Sequence, residues 1–432
     1  HFLHEAGSRE IRQKLLEDFE ILEVGLLPDN IFTYSSSECV VVIAKRLSEK
    51  IINNRRFLYG RVTEGSVNNF INDYEYESSE NIRQNDVLGL PSFSMRLPRF
   101  MNLWSYLNEF PVLGDFGEIG QGLNHIGHER AGDRTTYAHE QFDGSVEVYW
   151  SLKGECLSHL PPISAWADLD PSLIESLRFS KTTGAAQVFF NKAPKSRGPW
   201  RLMASMDTEG KAFLSRLLCF RATDCSIPLE YWWALLNSPL INVFAYSHFG
   251  KRDFEKSKML KAPIPKRNEH SINLIVQAAR SYLTLARTEL DDFAEYSEEC
   301  LERLRILHLR MDAAVLDAYE IPADLQLYIL KAFSGEKRCG VPFKQTEYLP
   351  DYFQSDITLS ELLSVTIDWD KTNQRRGEFI DLEGQRELTT EENQEFQYLQ
   401  HLADLRIELD AMPALLRVDK LKQRIASGKL NA

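Results

Sequence analysis

YWWALLNSPLINVFAYSHFGKRDFEKSKMLKAPIPK, from Tyr231 to Lys266, reads as a helix, a loop and a stop. The aromatic block Tyr231, Trp232 and Trp233 runs into Leu235 and Leu236, which predicts a helix buried by its aromatic face. Asn237 to Pro239 end that helix or turn the chain. Pro263 and Pro265 fix an extended exit, because each ring locks its own φ and biases the preceding residue away from the helical region. Between the two ends lie Lys251, Arg252, Lys256, Lys258 and Lys261.

Upstream of this block the text changes to short strands separated by glycine and proline turns. Gly144 to Ser151, Gln187 to Asn191, Arg201 to Ala204 and Leu217 to Ala222 are the better strand candidates. Within this region FSKTTGAAQVFFNKAPKSRGPWR, residues 179 to 201, carries the densest basic chemistry. Thr182, Thr183 and Gly184 make a small polar turn whose amides and hydroxyls suit a phosphate, with Lys181 beside it. Lys192, Lys195 and Arg197 lie on a proline-rich loop leading to Arg201. An arginine fork can read guanine bidentately, whereas a lysine more often acts as a point charge on phosphate. His248, Lys251 and Arg252 form a second basic group beside Gly250. The plain alternative for both groups is a solvated loop.

Toward the N-terminus, Ser8 is placed to cap a helix carrying Ile11, Leu15 and Leu16. Phe19 to Leu27 and Val40 to Ala44 read as buried strands. Leu58 to Val62 and Ser66 to Ile71 read as added strands around a turn at Thr63, Glu64 and Gly65. So few elements bury too little apolar surface to stand alone, so they pack on later segments or lack partners. SFSMRLPRF, residues 92 to 100, reads as a linker. Gly114, Gly117, Gly120 and Gly122 follow no convincing strand and open no convincing helix, so they read as a turn-rich domain entry and not a cofactor loop.

After Pro265 the chain turns helical. Ser271 to Leu309 has apolar residues near helical spacing, RMDAAVLDAYEIPADLQLYILKAFSG follows, and a further helix is expected from Thr390 to about Ala411, opened by the capping pair Thr389 and Glu392.

Hydrophobic residues make up 43% of the 432, enough for two to four packed units, and no apolar run reaches the roughly 18 residues of a membrane span. The six cysteines show no CxxC pair and no zinc-like spacing, and neither Cys156 with His159 nor His125 with His128 finds a second ligand pair. A soluble, cytoplasmic chain with reduced thiols and no metal is expected. The net charge of −13 argues at first against nucleic acid. Its distribution argues the other way, since a basic band inside an acidic chain suits a DNA groove with solubilising outer faces.

The sequence of features from Tyr231 to Pro265, an apolar helix ending in LNS, an aromatic and basic run, then PIP, resembles the end of the target-recognition domain of adenine-specific DNA methyltransferases of the fused type IIG restriction-modification kind. The opening residues resemble the last helix and strands of that family's catalytic domain, with Arg9 or Arg12 at the helix start, then LPDNIF and VVVIAKR. FGEIGQGLNHIGHERAGD resembles the entry to the recognition domain. Asp312, Val315 and Tyr319 match a "D..V...YG" element, with Glu320 where the glycine is usual. From Ile357 onward, Trp369, Asn373, Arg375 and Arg376 resemble a small C-terminal module of several bacterial proteins.

This resemblance implies an α/β and α+β multidomain chain. Residues 1–95 would be the remnant of a Rossmann-like methyltransferase sheet, 96–265 a mixed α/β target-recognition domain, 266–357 a helical region and 358–432 a small helical module. It implies double-stranded DNA and an N-terminal catalytic domain as partners, with Lys181, Thr182, Thr183, Lys192, Lys195, Arg197, Arg201, His248, Lys251 and Arg252 as DNA-binding candidates. S-adenosylmethionine is implied for the full-length enzyme. This segment has neither the glycine-rich cofactor turn nor the Asn-Pro-Pro-Tyr type loop that would hold a flipped adenine, so no catalytic residue is assigned and the segment is expected to be inactive alone. Two other readings stay open: a specificity subunit without catalysis, and a helical protein-interaction or regulatory protein.

Overall fold

The computed structural model describes residues 2–3, 6–29, 31–32, 38–47, 55–90, 93–126, 128–132, 134–176, 184–249, 253–288, 296–350 and 352–426. It is a mixed α/β chain with several small sheets and a helical C-terminal region. It divides into two compact units between Pro98 and Arg99. The sequence reading placed a boundary at residues 95/96 and others after 265 and 357. Past Arg99 the chain forms one unit, because helices from the last third share a core with the recognition region.

In the first unit, α1 (Arg9–Asp18) leads into β1 (Phe19–Leu27), followed by β2 (Cys39–Arg46), β3 (Arg56–Arg61), α2 (Val67–Asp73), β4 (Ser78–Arg83) and α3 (Gln84–Leu88). The sheet order is β2-β1-β3-β4, with β1 and β3 parallel and the other pairs antiparallel. Leu16, Ile21, Val24, Phe57 and Tyr59 fill its core. Two buried polar side chains close its irregular backbone. Gln84 donates to the Leu16 and Phe19 carbonyls at 2.6 and 2.7 Å and accepts from the Ile21 N–H at 3.0 Å. Arg12 donates to the carbonyls of Phe2 and Phe93.

Two expectations change here. Ser66 to Ile71 is helical, not a strand: the Ser66 hydroxyl accepts from the Thr63 N–H at 3.0 Å and starts a turn. Asn68 and Asn69 also break the two-residue alternation that a half-buried strand needs. The expected linker is tied down in its middle. Met95 and Leu97 are buried, and the Tyr59 hydroxyl bonds to both their backbones.

The second unit opens with α4 (Met101–Tyr106), β5 (Gly117–Gln121), β6 (Asn124–His125), the short α5 (His128–Ala131), β7 (Tyr137–Ala138), β8 (Val146–Ser151), β9 (Ile163–Ala167) and β10 (Ile174–Ser176). It continues through β11 (Gln187–Asn191), β12 (Ala204–Asp207) and β13 (Leu217–Ala222). The helices follow: α6 (Leu229–Asn237), α7 (Pro239–His248), α8 (Lys256–Met259), α9 (Glu269–Thr288), α10 (Glu298–Ala318), α11 (Ala323–Lys331), α12 (Leu359–Val365), α13 (Trp369–Glu383) and α14 (Thr390–Ala426). An antiparallel sheet of order β12-β11-β13-β5 is the centre of the unit, and β7-β9-β8 forms a second sheet beside it.

The glycine-rich stretch is a strand, against the expectation of a turn-rich entry. Gly117 and Gly120 lie in β5, and Gly122 follows it because the backbone of the 213–214 segment crosses there. A Cβ on Gly122 would stand 2.2 Å from the Leu214 carbonyl oxygen. The space beside Gly117 is taken by the Arg221 carbonyl, and the Leu260 carbonyl lies close beside Gly114.

Every residue of α6 from Tyr231 to Asn237 is buried, as its unbroken apolar run requires. Ser238 then adopts extended backbone and its hydroxyl accepts from the Ile241 N–H at 3.3 Å. Pro239 occupies the first turn of α7, where a missing N–H costs nothing. LNSP is thus a stop, a cap and a restart. The PIP exit is extended: Ile264 N–H donates to the Pro111 carbonyl at 2.8 Å.

Candidate nucleic-acid interface

Three buried asparagines build the frame from which the basic loop projects. Asn191, at the end of β11, donates to the carbonyls of Ala193 and Arg201 and accepts from the Met203 N–H at 2.7 Å. Asn242 on α7 accepts from the N–H groups of Arg201 and Leu202 at 2.9 and 2.8 Å. Asn237 on α6 accepts from Ala204 N–H at 2.9 Å and donates back to the Ala204 carbonyl at 3.1 Å. Side-chain amides therefore replace a neighbouring strand along residues 201 to 204. Each would leave a buried donor or acceptor unmade if removed, which fixes the segment firmly.

The expected strand Arg201 to Ala204 is accordingly displaced. Regular pairing starts at Ala204 and runs to Asp207, because the preceding N–H groups are committed to Asn242.

The structure brings residues 192–201 together with Phe249, Asp253 and Phe254. Phe254 N–H donates to the Lys192 carbonyl at 2.8 Å, and the Lys192 ammonium pairs with Asp253 at 3.0 Å. Lys195 turns inward: its ammonium donates to the Leu152 carbonyl and, at 3.4 Å, to that of Gly154. Burial lowers its pKa from the usual lysine value. Arg197 is exposed at the tip.

Arg201 is 7% exposed. Its guanidinium donates to the carbonyls of Arg197, Gly198 and Phe249 at 2.9, 3.1 and 2.8 Å, and lies 5.0 Å from the Tyr246 ring centre. Those donors hold the loop. His248 stacks on Phe244 at 4.3 Å, meets Trp104 edge-on at 5.0 Å and shares a 3.1 Å hydrogen bond with the Phe244 carbonyl. Burial pushes its pKa down to about 4, so it is neutral near pH 7. Lys181, Thr182, Thr183, Lys251 and Arg252 lie outside the described residues.

Asn191 and Asn242 were not legible as parts of this frame, and Asn237 was read only as a helix end. Their partners are backbone groups up to 41 positions away. The one available signal was the presence of asparagine inside otherwise apolar runs.

Asp312, from the D..V...YG-like element, lies in a second buried cluster. Arg338 and Asp312 form a two-armed ion pair with a 3.1 Å contact between Nη2 and Oδ1. The same Nη2 donates to the Asn237 carbonyl at 2.8 Å, the guanidinium lies 4.2 Å from the Trp200 ring centre, and the Tyr348 hydroxyl donates to Asp312 at 2.7 Å. Nearby, the Tyr319 hydroxyl donates to the Pro263 carbonyl at 2.8 Å.

Among the described residues no group of three or more His, Cys, Asp or Glu side chains is arranged to hold a metal ion. His159, considered beside Cys156, is buried and shares a 3.1 Å hydrogen bond with the Tyr296 hydroxyl. His125 bonds instead to the Asp168 carbonyl at 2.9 Å. No described helix is long and apolar enough to cross a membrane.

No protein-family model and no curated protein matches the chain. Among solved structures, 72% of it aligns with 45% of the type IIL restriction-modification enzyme MmeI in complex with DNA, at a TM-score of 0.42 and 11% identity. A further 73% alignment covers 46% of the type IIG restriction endonuclease BpuSI, at a TM-score of 0.27 and 11% identity. The chain spans less than half the length of either structure.

Proposed function

We propose that this chain is the DNA-recognition and C-terminal part of an S-adenosylmethionine-dependent, adenine-specific DNA methyltransferase of the restriction-modification kind. The observation that carries the reading is the convergence of the resembling sequence blocks. The LNS block reaches the D..V...Y block through Asn237, Arg338 and Asp312, and the PIP block reaches it through Pro263 and Tyr319. Blocks far apart in sequence therefore act as one scaffold, which is what a shared fold would preserve. On this reading the four-stranded sheet of the first unit is the end of a catalytic-domain sheet. Methyl transfer belongs to the intact enzyme, and the present segment selects the sequence.

The test is binding of a labelled duplex by the 432-residue chain across a salt series. Counterion release predicts affinity that falls steeply as salt rises. Titration with S-adenosylmethionine should give no specific heat. Absence of duplex binding at low salt would overturn the recognition reading, and micromolar cofactor binding would overturn the assignment of catalysis to another segment.

A further inference from the structure

Arg216 occupies the turn from Leu214 to Leu217 immediately before β13, and its guanidinium lies 4.7 Å from the ring centre of Trp150. It is exposed, and none of the described residues accepts a hydrogen bond from it or pairs with it. In a chain with 63 acidic residues, most exposed arginines of this unit have found carboxylates. Arg134 has Asp168 and Asp170, Arg267 has Asp224, and Arg280 has Glu230. Arg216 instead has an aromatic plate beneath it.

The plate is held rigidly. Tyr149 exchanges backbone hydrogen bonds with the passing segment, its N–H to the Ala212 carbonyl at 2.9 Å and its carbonyl from Leu214 N–H at 2.8 Å. Trp150 follows at a break in the β8–β9 register, between Tyr149 and Ser151, a device that re-aims a side chain. His139 braces the indole edge-on at 4.6 Å. The adjacent Glu147 and Tyr149 alternate to the other side of β8, where Lys211 engages both. The place is also continuous with the basic loop, since Lys192 N–H donates to the Arg216 carbonyl at 3.3 Å and Lys195 reaches the residues just past Trp150.

A guanidinium lying on an indole face keeps its in-plane N–H groups for a ligand, and the stack removes much of the rotamer freedom that binding would otherwise cost. Paired in-plane donors match paired acceptors, which duplex DNA offers at a guanine O6/N7 edge or at a phosphate.

We infer that Arg216 is a DNA-contacting residue of this chain, presented to duplex DNA by Trp150 as its positioning residue. This rests on the DNA-recognition reading above and deepens it. It shifts the contact from the inward-turned Lys195 and Arg201 to a surface one turn away.

The experiment is a randomised-duplex selection, with affinities from anisotropy over a salt series, on the full 432-residue chain. The variants are R216A, R216K, W150F and W150L, each checked by thermal melting. R216A should weaken binding to the preferred duplex on the order of tenfold. If a guanine edge is the ligand, R216K loses preference at one base position while keeping its salt slope. If a phosphate is the ligand, R216K restores binding and R216A weakens all sequences alike. W150F should keep the parental preference and W150L should lose it, a split that bulk packing alone would not give. A parent that binds duplex while R216A retains its affinity and preference overturns the assignment and leaves the recognition reading in place. A parent that binds no duplex overturns both.

Discussion

Asp312 and Arg338 face each other across the core of the second unit with both side chains shut off from solvent, and Arg338 uses its second arm on the carbonyl of Asn237. One ion pair thereby joins α10, the end of α6 and the strand that Asn237 holds. A buried pair of this kind is costly to halve, because the survivor is left charged and unmatched. D312A should lower unfolding stability by about 3–5 kcal/mol in urea denaturation. A loss below 1 kcal/mol would mean that water already reaches the pair.

Acidification should weaken the fold in two separate windows. Burial lowers the His159 and His248 pKa values to about 4 from an ordinary 6.5, so the unfolded chain binds these protons first. Stability is full above pH 6.5 and falls as pH drops toward 4. Asp312 acts lower: burial alone would raise its pKa, but the Arg338 charge outweighs this and holds it down to about 2 from 3.8. Its contribution is therefore present above pH 3.8 and lost as pH falls through about 2. Urea midpoints across pH 2 to 8 would show both slopes, and H159Q should shrink only the upper one.

Glu320 sits just past the C-terminus of α10 with φ +51°, the left-handed region where a side chain is strained. E320G should raise stability by about 1 kcal/mol, since glycine enters this region without a Cβ clash. A lower melting temperature would show that the Glu320 side chain makes a compensating contact.

Arg201 and Arg197 should separate cleanly. R201A removes three charge-assisted bonds to carbonyls and should lower stability by about 2–4 kcal/mol. R197A, at an exposed position, should cost less stability than R201A, because surface substitutions usually stay small. If R201A melts like the parent, the frame does not depend on the guanidinium.

Sequence alone revealed the elements whose signals are local. The aromatic run predicted α6, short apolar and aromatic runs between turn signals predicted β11 and β13, and Thr389 and Glu392 do exchange their expected capping bonds at the start of α14. What it could not reveal depended on partners far away in sequence. β12 begins late because Asn242 and Asn191 claim the earlier backbone, and β5 is a strand despite its glycines because β13 pairs with it. Arg201 looked like a surface cation because arginine usually is one. Its burial is made tolerable by the Arg197 and Gly198 carbonyls of its own loop and by that of Phe249, 48 positions away, and only the last of these is distant in sequence.

The manner in which Arg201 grips the loop bears on how freely that loop can change. Its targets at Arg197 and Gly198 are carbonyl oxygens, which every amino acid supplies, and Lys195 N–H closes the base of the turn on the Arg201 carbonyl at 2.8 Å. The grip of Arg201 on position 197 is therefore indifferent to which side chain stands there. A library randomised there would vary what the tip presents while its hinges stay fastened, which makes this short span an exchangeable cassette on an otherwise unyielding mount.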